Sequence, residues 1–122
     1  MTERLPNPTP EVKKLSKHIG REAALALIEA RGGNRVYIPA PARIGQSELP
    51  DIIGLDEARS LAVAYGPQWY FIPIAREWRV LLYRHRGMTY AEIARKTGTT
   101  ETNVGRILRL QEMTNRQLSF FG

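Results

Sequence analysis

The chain has 122 residues, of which 43% are apolar and none is cysteine. That is enough for one compact domain, or for two small pieces that share a core. It excludes a disordered chain, a disulfide framework and a thiolate metal site. The net charge is +6. No run of 18 apolar residues exists to form a transmembrane helix, and the polar start Met1–Pro10 lacks the apolar core of a secretory signal. With the absence of cysteine, these features lead us to expect a cytoplasmic protein.

The first 18 residues read as a lead-in. Thr9 caps a short helix, Pro10 takes its first position, and Val12 and Leu15 follow at i, i+3 spacing. Residues 19–73 contain an internal repeat. Ile19–Pro39 aligns without gaps, 34 residues on, with Ile53–Pro73, and eight of the 21 positions are identical. In each copy a glycine (Gly20, Gly54) precedes a helix with acidic residues in its first turn, Glu22 or Asp56 and Glu57. One helical face is apolar: Ala24, Leu27 and Ile28 in the first copy, Ala58, Leu61, Ala62 and Tyr65 in the second. Gly32 and Gly66 are expected to stop these helices in left-handed caps. A β-prone run follows, Val36–Ile38 or Trp69–Ile72, closed by Pro39 or Pro73. A single helix–strand unit leaves its strand unpaired. The two strands therefore pair within the chain, or each pairs with a partner chain. Between the copies, Ala40–Pro50 reads as an irregular connection.

Ile74–Arg86 sets Trp78, Leu81 and Leu82 against Arg76, Arg79, Arg84 and Arg86, an amphipathic helix that Gly87 ends. Met88–Arg109 then has the spacing of a helix-turn-helix. Thr89 caps a helix over Tyr90–Lys96. Ala94 is small where two helices cross, and Gly98 suits a turn with positive φ. Thr100 caps the next helix, Glu101 suits its first turn, and Val104 and Ile107 pack back towards Ile93. In such a unit the second helix enters the major groove, led by its N-terminal residues. Thr100, Thr102 and Asn103 are placed to reach base edges, and an Asn can pair with adenine. Arg106, one turn on, suits guanine or a phosphate, and Arg109 a phosphate. Arg95 and Lys96 flank the turn as backbone contacts. The start of the preceding helix, at Thr89 and Tyr90, can donate to a phosphate. Glu101 either accepts from cytosine or simply favours the helix N-terminus.

Charge supports this placement. Residues 1–74 hold nine Lys/Arg against eight Asp/Glu, a net of +1; residues 75–122 hold nine against four, a net of +5. The excess lies where a phosphate-binding surface needs it. The tail Leu110–Gly122 prolongs the last helix and ends in Phe120–Phe121, aromatics expected to dock on the protein's own core or on a dimer mate, with another protein as the alternative.

The chain resembles the Mor transcription activators of Mu-like phages. The resemblance rests on Gly32–Pro39, a glycine–glycine–strand–proline element with Gly66–Pro73 as a weaker form, and on the helix-turn-helix that follows. It covers roughly residues 19–109. It implies a homodimer built by the helical N-terminal region, a strand leading into the helix-turn-helix, promoter binding in a bacterial or phage-infected cell, and recruitment of host RNA polymerase. The second copy departs from the pattern, with Gly66–Pro67 in place of two glycines.

Catalytic chemistry is not suggested. His18 and His85 have no second ligand at metal spacing, Ser16, Ser47, Ser60 and Ser119 lie in no nucleophile motif, and no glycine loop opens a helix to cradle phosphate. The expectation is therefore a mainly α protein with a small β-ribbon. It has a lead-in over 1–18, a duplicated helix–strand dimerisation platform over 19–73, and a helix-turn-helix domain over 74–122. We read it as a sequence-specific regulator of transcription that uses no cofactor and no metal, and is not an enzyme. The rivals are an assembly module whose helical hairpin never touches DNA, and an RNA-binding regulator.

Overall fold

The computed structural model describes residues 6–121, with side chains described as far as Arg116. The elements are helices α1 (Pro10–Ile19) and α2 (Arg21–Arg31), strand β1 (Arg35–Ile38), a 3-10 turn (Pro41–Gln46), helices α3 (Leu49–Ile53) and α4 (Leu55–Tyr65), strand β2 (Gln68–Phe71), and helices α5 (Arg76–His85), α6 (Tyr90–Thr97) and α7 (Glu101–Phe121). The protein is mainly helical with one two-stranded antiparallel ribbon, as expected. It divides into two compact units. One spans Pro8–Ala75; the other joins Pro6 and Asn7 to the residues from Arg76 onward.

The first unit is a duplicated platform, and the duplication reaches further upstream than the sequence alignment. α1 is capped by the Thr9 hydroxyl, which accepts from the Val12 N–H, and it packs on α2 and α4. It therefore belongs to the platform and is not a separate lead-in. Its counterpart is α3, which begins at the end of the segment Ala40–Pro50 that was expected to be irregular. Leu15 and Ile19 of α1 match Leu49 and Ile53 of α3 at the same 34-residue offset, and all four are buried. Gly20 and Gly54 join the paired helices at φ +86° and +95°, a conformation cheap only for glycine. Each copy is thus helix–glycine–helix–strand.

The two strands pair within the chain. Val36 faces Tyr70, Arg35 faces Phe71 and Tyr37 faces Trp69. Val36 and Tyr70 are repeat equivalents, so the ribbon is a local two-fold centred on that pair. The glycines that end α2 and α4 obey the same symmetry. Neither Gly32 (φ −54°) nor Gly66 (φ −86°) is left-handed, contrary to expectation. They are glycines because a Cβ has no room. At Gly32 it would lie 2.6 Å from the Ile28 carbonyl oxygen and 3.1 Å from that of Pro73; at Gly66 it would collide with that of Pro39. Each repeat therefore lays its helix end against the closing proline of the other.

The core of this unit is Val12, Leu15, Leu27, Ile28, Ile38, Leu49, Leu61 and Ile72, each almost fully buried. Ile44 anchors the 3-10 turn beneath it, and the Ser47 hydroxyl donates to the Ile44 carbonyl and accepts from the Leu49 N–H at the start of α3. Outside, Arg31 at the end of α2 grips Glu48 with two bonds, Nε to Oε1 at 2.8 Å and Nη2 to Oε2 at 2.7 Å. This hydrogen-bonded pairing holds the Glu48 carboxyl below the usual glutamate range.

Two outcomes are expected. Gly66→Ala destabilises the protein by about 1–3 kcal/mol in urea unfolding, the cost of overpacking against a backbone carbonyl, whereas Gly45→Ala, with open space around it, leaves the midpoint unchanged. In an NMR titration Glu48 ionises below an ordinary glutamate, and Arg31→Gln returns it to the ordinary value. Because the folded-state pKa is depressed, the pair's contribution is present above the unfolded glutamate pKa and is lost as pH falls through the folded one.

Candidate nucleic-acid interface

The second unit is built on α5. Its buried residues are Trp78, Arg79, Val80, Leu82 and Tyr83, with Leu81 only half-buried. The helix lies where the amphipathic pattern expects it, but Arg79 does not join Arg76, Arg84 and Arg86 on the solvent side. Its guanidinium lies inside, where Nε donates to Tyr83 Oη at 3.2 Å and Nη2 donates to the Lys96 carbonyl at 2.9 Å. Arg76 Nε donates to the neighbouring Thr97 carbonyl at 3.1 Å. Two cations thus bond the carbonyls at the C-terminal end of α6, where the helix dipole is negative. Arg84 is also engaged: Nη1 donates to the Met88 carbonyl, and the guanidinium stacks 5.0 Å from the Tyr90 ring centre. Part of the basic excess in this half therefore holds the unit together.

α6 opens with a full capping box. The Thr89 hydroxyl accepts from the Glu92 N–H, and Glu92 Oε1 accepts from the Thr89 N–H. Those bonds hold the Glu92 carboxyl below its usual range. The helix ends at Gly98, left-handed at φ 68°, ψ 37°, with the Gly98 and Thr99 N–H groups both donating to the Ala94 carbonyl. Buried Thr97 satisfies its hydroxyl on the Ile93 carbonyl at 2.7 Å. Thr100 then caps α7, its hydroxyl accepting from the Asn103 N–H at 3.1 Å. Ile93, Ala94, Val104 and Ile107 are buried between the helices. Gly105, not among the sequence-expected residues, lies beside the Tyr90 ring, where an added Cβ would sit 3.6 Å from the ring edge. Its signal is a glycine directly after Val104 in the interior of a helix, where that residue is otherwise unfavourable.

The face of α7 opposite that core carries the expected residues. Thr100, Glu101, Thr102, Arg106 and Arg109 are exposed and Asn103 is half-buried. Thr102, Arg106 and Arg109 fall at i, i+4 and i+7, one stripe of the helix. Arg95 and Lys96 are exposed in the last turn of α6. Thr89 and Tyr90 stand at its other end: the Thr89 hydroxyl is used in the cap, and the Tyr90 ring packs beside Gly105 and under Arg84. The stripe is not a row of independent side chains. Arg106 donates to Asn103 Oδ1 through Nε at 3.0 Å and Nη2 at 2.7 Å, and Asn103 Nδ2 donates to Thr99 Oγ1 at 2.9 Å.

Other features are less specific. The outer face of the platform ribbon exposes Tyr37, Trp69 and Phe71, at 47%, 59% and 57% of their areas. Tyr37 and Trp69 meet edge to face at 5.5 Å. An open cleft of about 450 Å³ in the platform is lined by Lys17, His18, Arg59, Ser60, Val63 and Ala64. Among the described residues no cluster of three or more His, Asp or Glu is placed to hold a metal, and no helix is long and apolar enough to cross a membrane. The side chains of Phe120 and Phe121 lie outside the described residues.

The second unit is thus a helix-turn-helix arrangement, α6 and α7 joined by a left-handed turn and supported by α5. No protein-family model, no curated protein and no solved structure matches the chain.

Arg79→Met keeps most of the buried stem and removes both donors. It is expected to lower the stability of this unit by about 2 kcal/mol, the scale of hydrogen bonds from a charged donor to buried acceptors, measured by thermal unfolding. A melting temperature equal to wild type shows that these bonds contribute nothing.

Proposed function

We propose that the chain is a sequence-specific DNA-binding regulator of transcription that places α7 in the major groove. The observation that carries this reading is the polar stripe of Thr102, Asn103, Arg106 and Arg109 on the outside of a capped helix, following a left-handed turn. The net +5 of residues 75–122 supports it, because phosphate neutralisation supplies much of the affinity for DNA. Thr100 and Glu101 stand at the leading end of the helix, and Arg95, Lys96 and Arg109 are the phosphate contacts in this reading. The resemblance to the Mor activators extends the proposal to activation of phage or prophage genes in a bacterial cytoplasm, through contact with host RNA polymerase. Each chain carries one reader, so a symmetric promoter site takes two chains. Because the ribbon closes inside a single chain, that homodimer does not depend on strands exchanged between chains.

A second reading, an assembly module, is favoured by the exposed aromatic face of the ribbon, since contiguous apolar surface of that kind marks a protein contact. The two readings separate on duplex binding. The full chain is expected to bind random duplex fragments at low salt with an affinity that falls steeply as salt rises, and the double variant Asn103→Ala, Arg106→Ala is expected to lose sequence preference. Arg109→Ala is expected to weaken all sequences equally and to reduce the slope of log affinity against log salt by about 1. Absence of duplex binding at low salt overturns the DNA reading; duplex binding unaffected by the double variant removes α7 as the reader.

A further inference from the structure

We infer that Arg106, braced by Asn103, reads a guanine in the major groove, and that Asn103 is a positioning residue and not a reader of adenine. This rests on the DNA-binding reading above and assigns the base class that its central residue takes.

Four of the five N–H groups of a guanidinium form two forks, one made by Nε and one Nη, the other by the two Nη atoms at its end. In the free protein the first fork is filled: Nε and Nη2 both donate to Asn103 Oδ1. The end fork, made by Nη1 and the second N–H of Nη2, points away from Asn103. It is the fork that matches the O6 and N7 acceptors of guanine.

Asn103 cannot serve adenine in the same arrangement. Pairing with adenine needs Oδ1 to accept from N6 and Nδ2 to donate to N7. Oδ1 already takes two bonds from Arg106, filling both lone pairs, and one Nδ2 hydrogen is committed to Thr99 Oγ1. Thr99 sits in the turn, directly before the Thr100 cap, and the backbone N–H of Asn103 is bonded to that cap. The chain Thr99–Asn103–Arg106 therefore ties the orientation of an exposed arginine to the rigid turn. A long, flexible side chain held in one rotamer before binding loses less entropy on contact. Arg109, a turn further on, is exposed and suits a phosphate.

The test selects bound sequences from random duplex DNA with the full-length protein and with Arg106→Ala, Asn103→Ala and Asn103→Asp. Asp retains two acceptor oxygens for the guanidinium and loses the donor that adenine N7 requires. Wild type is expected to select guanine at one position in each half-site, with a preference over the other bases of about tenfold or more. Arg106→Ala abolishes that preference, Asn103→Ala reduces it severalfold, and Asn103→Asp preserves it. Replacing the selected guanine by 7-deazaguanine, which lacks N7, weakens wild type and leaves Arg106→Ala unchanged. A selected adenine lost in both Asn103 variants and kept in Arg106→Ala overturns the assignment. So does a uniform loss of affinity in Arg106→Ala with no change of preference, which marks a phosphate contact. Duplex binding by wild type without any guanine preference overturns this inference alone; no duplex binding by wild type overturns the DNA reading and this inference with it.

Discussion

The platform depends on a reciprocal close approach of backbone to backbone. Gly66 lies against the Pro39 carbonyl and Gly32 against that of Pro73, so each repeat ends its helix on the proline that closes the other repeat's strand. No side chain can stand between them. This contact sets how near the two helix–strand units come, and hence that β1 and β2 lie side by side with Val36 opposite Tyr70. Once the strands are adjacent, the inward residues Val36 and Ile38 of β1 and Ile72, just past β2, close over the apolar faces of the helices. A two-stranded ribbon is marginal alone, and here it is stabilised by the helices of both repeats. The result has the form of a symmetric dimer made inside a single chain.

The second unit depends on a different device, arginines used as internal donors. Arg79 and Arg76 bond consecutive carbonyls at the end of α6, where the chain is about to turn through Gly98. A buried guanidinium is costly unless its donors are met and an opposing partial charge lies close by. The carbonyl end of a helix supplies both. Fastening α6 to α5 in this way leaves α7 to be positioned by Val104, Ile107 and the Gly105–Tyr90 approach, with its polar stripe outward.

Much of this was legible along the chain. The repeat, the helical stretches, the ribbon-forming runs, the Thr89 and Thr100 caps and the Gly98 turn all follow from spacing and residue type. The features that differ from the sequence expectation share a cause. A left-handed φ is a common reason for glycine at a helix end, but at Gly32 and Gly66 the reason is crowding by carbonyls, including those of Pro73 and Pro39, 41 and 27 residues away in sequence. α3 is hidden because it is only five residues long, too short to show a helical period, and includes Pro50. Arg79 looked like surface because a charged residue on a helix ordinarily is, and nothing local announces that its partners are Tyr83 and the Lys96 carbonyl.

By itself the sequence determined the kinds of elements, their approximate limits, the turns between them and the concentration of positive charge after residue 75. Those features arise from interactions within about four residues of the chain, such as capping bonds, helical periodicity and the conformational limits of glycine and proline. Only the tertiary structure decided that the strands pair with each other, that α1 and α3 complete the duplication, and that Arg79 is an internal donor. Each of these depends on which distant groups come within a few ångströms, and burial and hydrogen-bond partnership are properties of that proximity. The Thr99–Asn103–Arg106 chain stands between the two cases. Its spacing is local, but the direction of each bond follows from side-chain rotamers set by the folded turn.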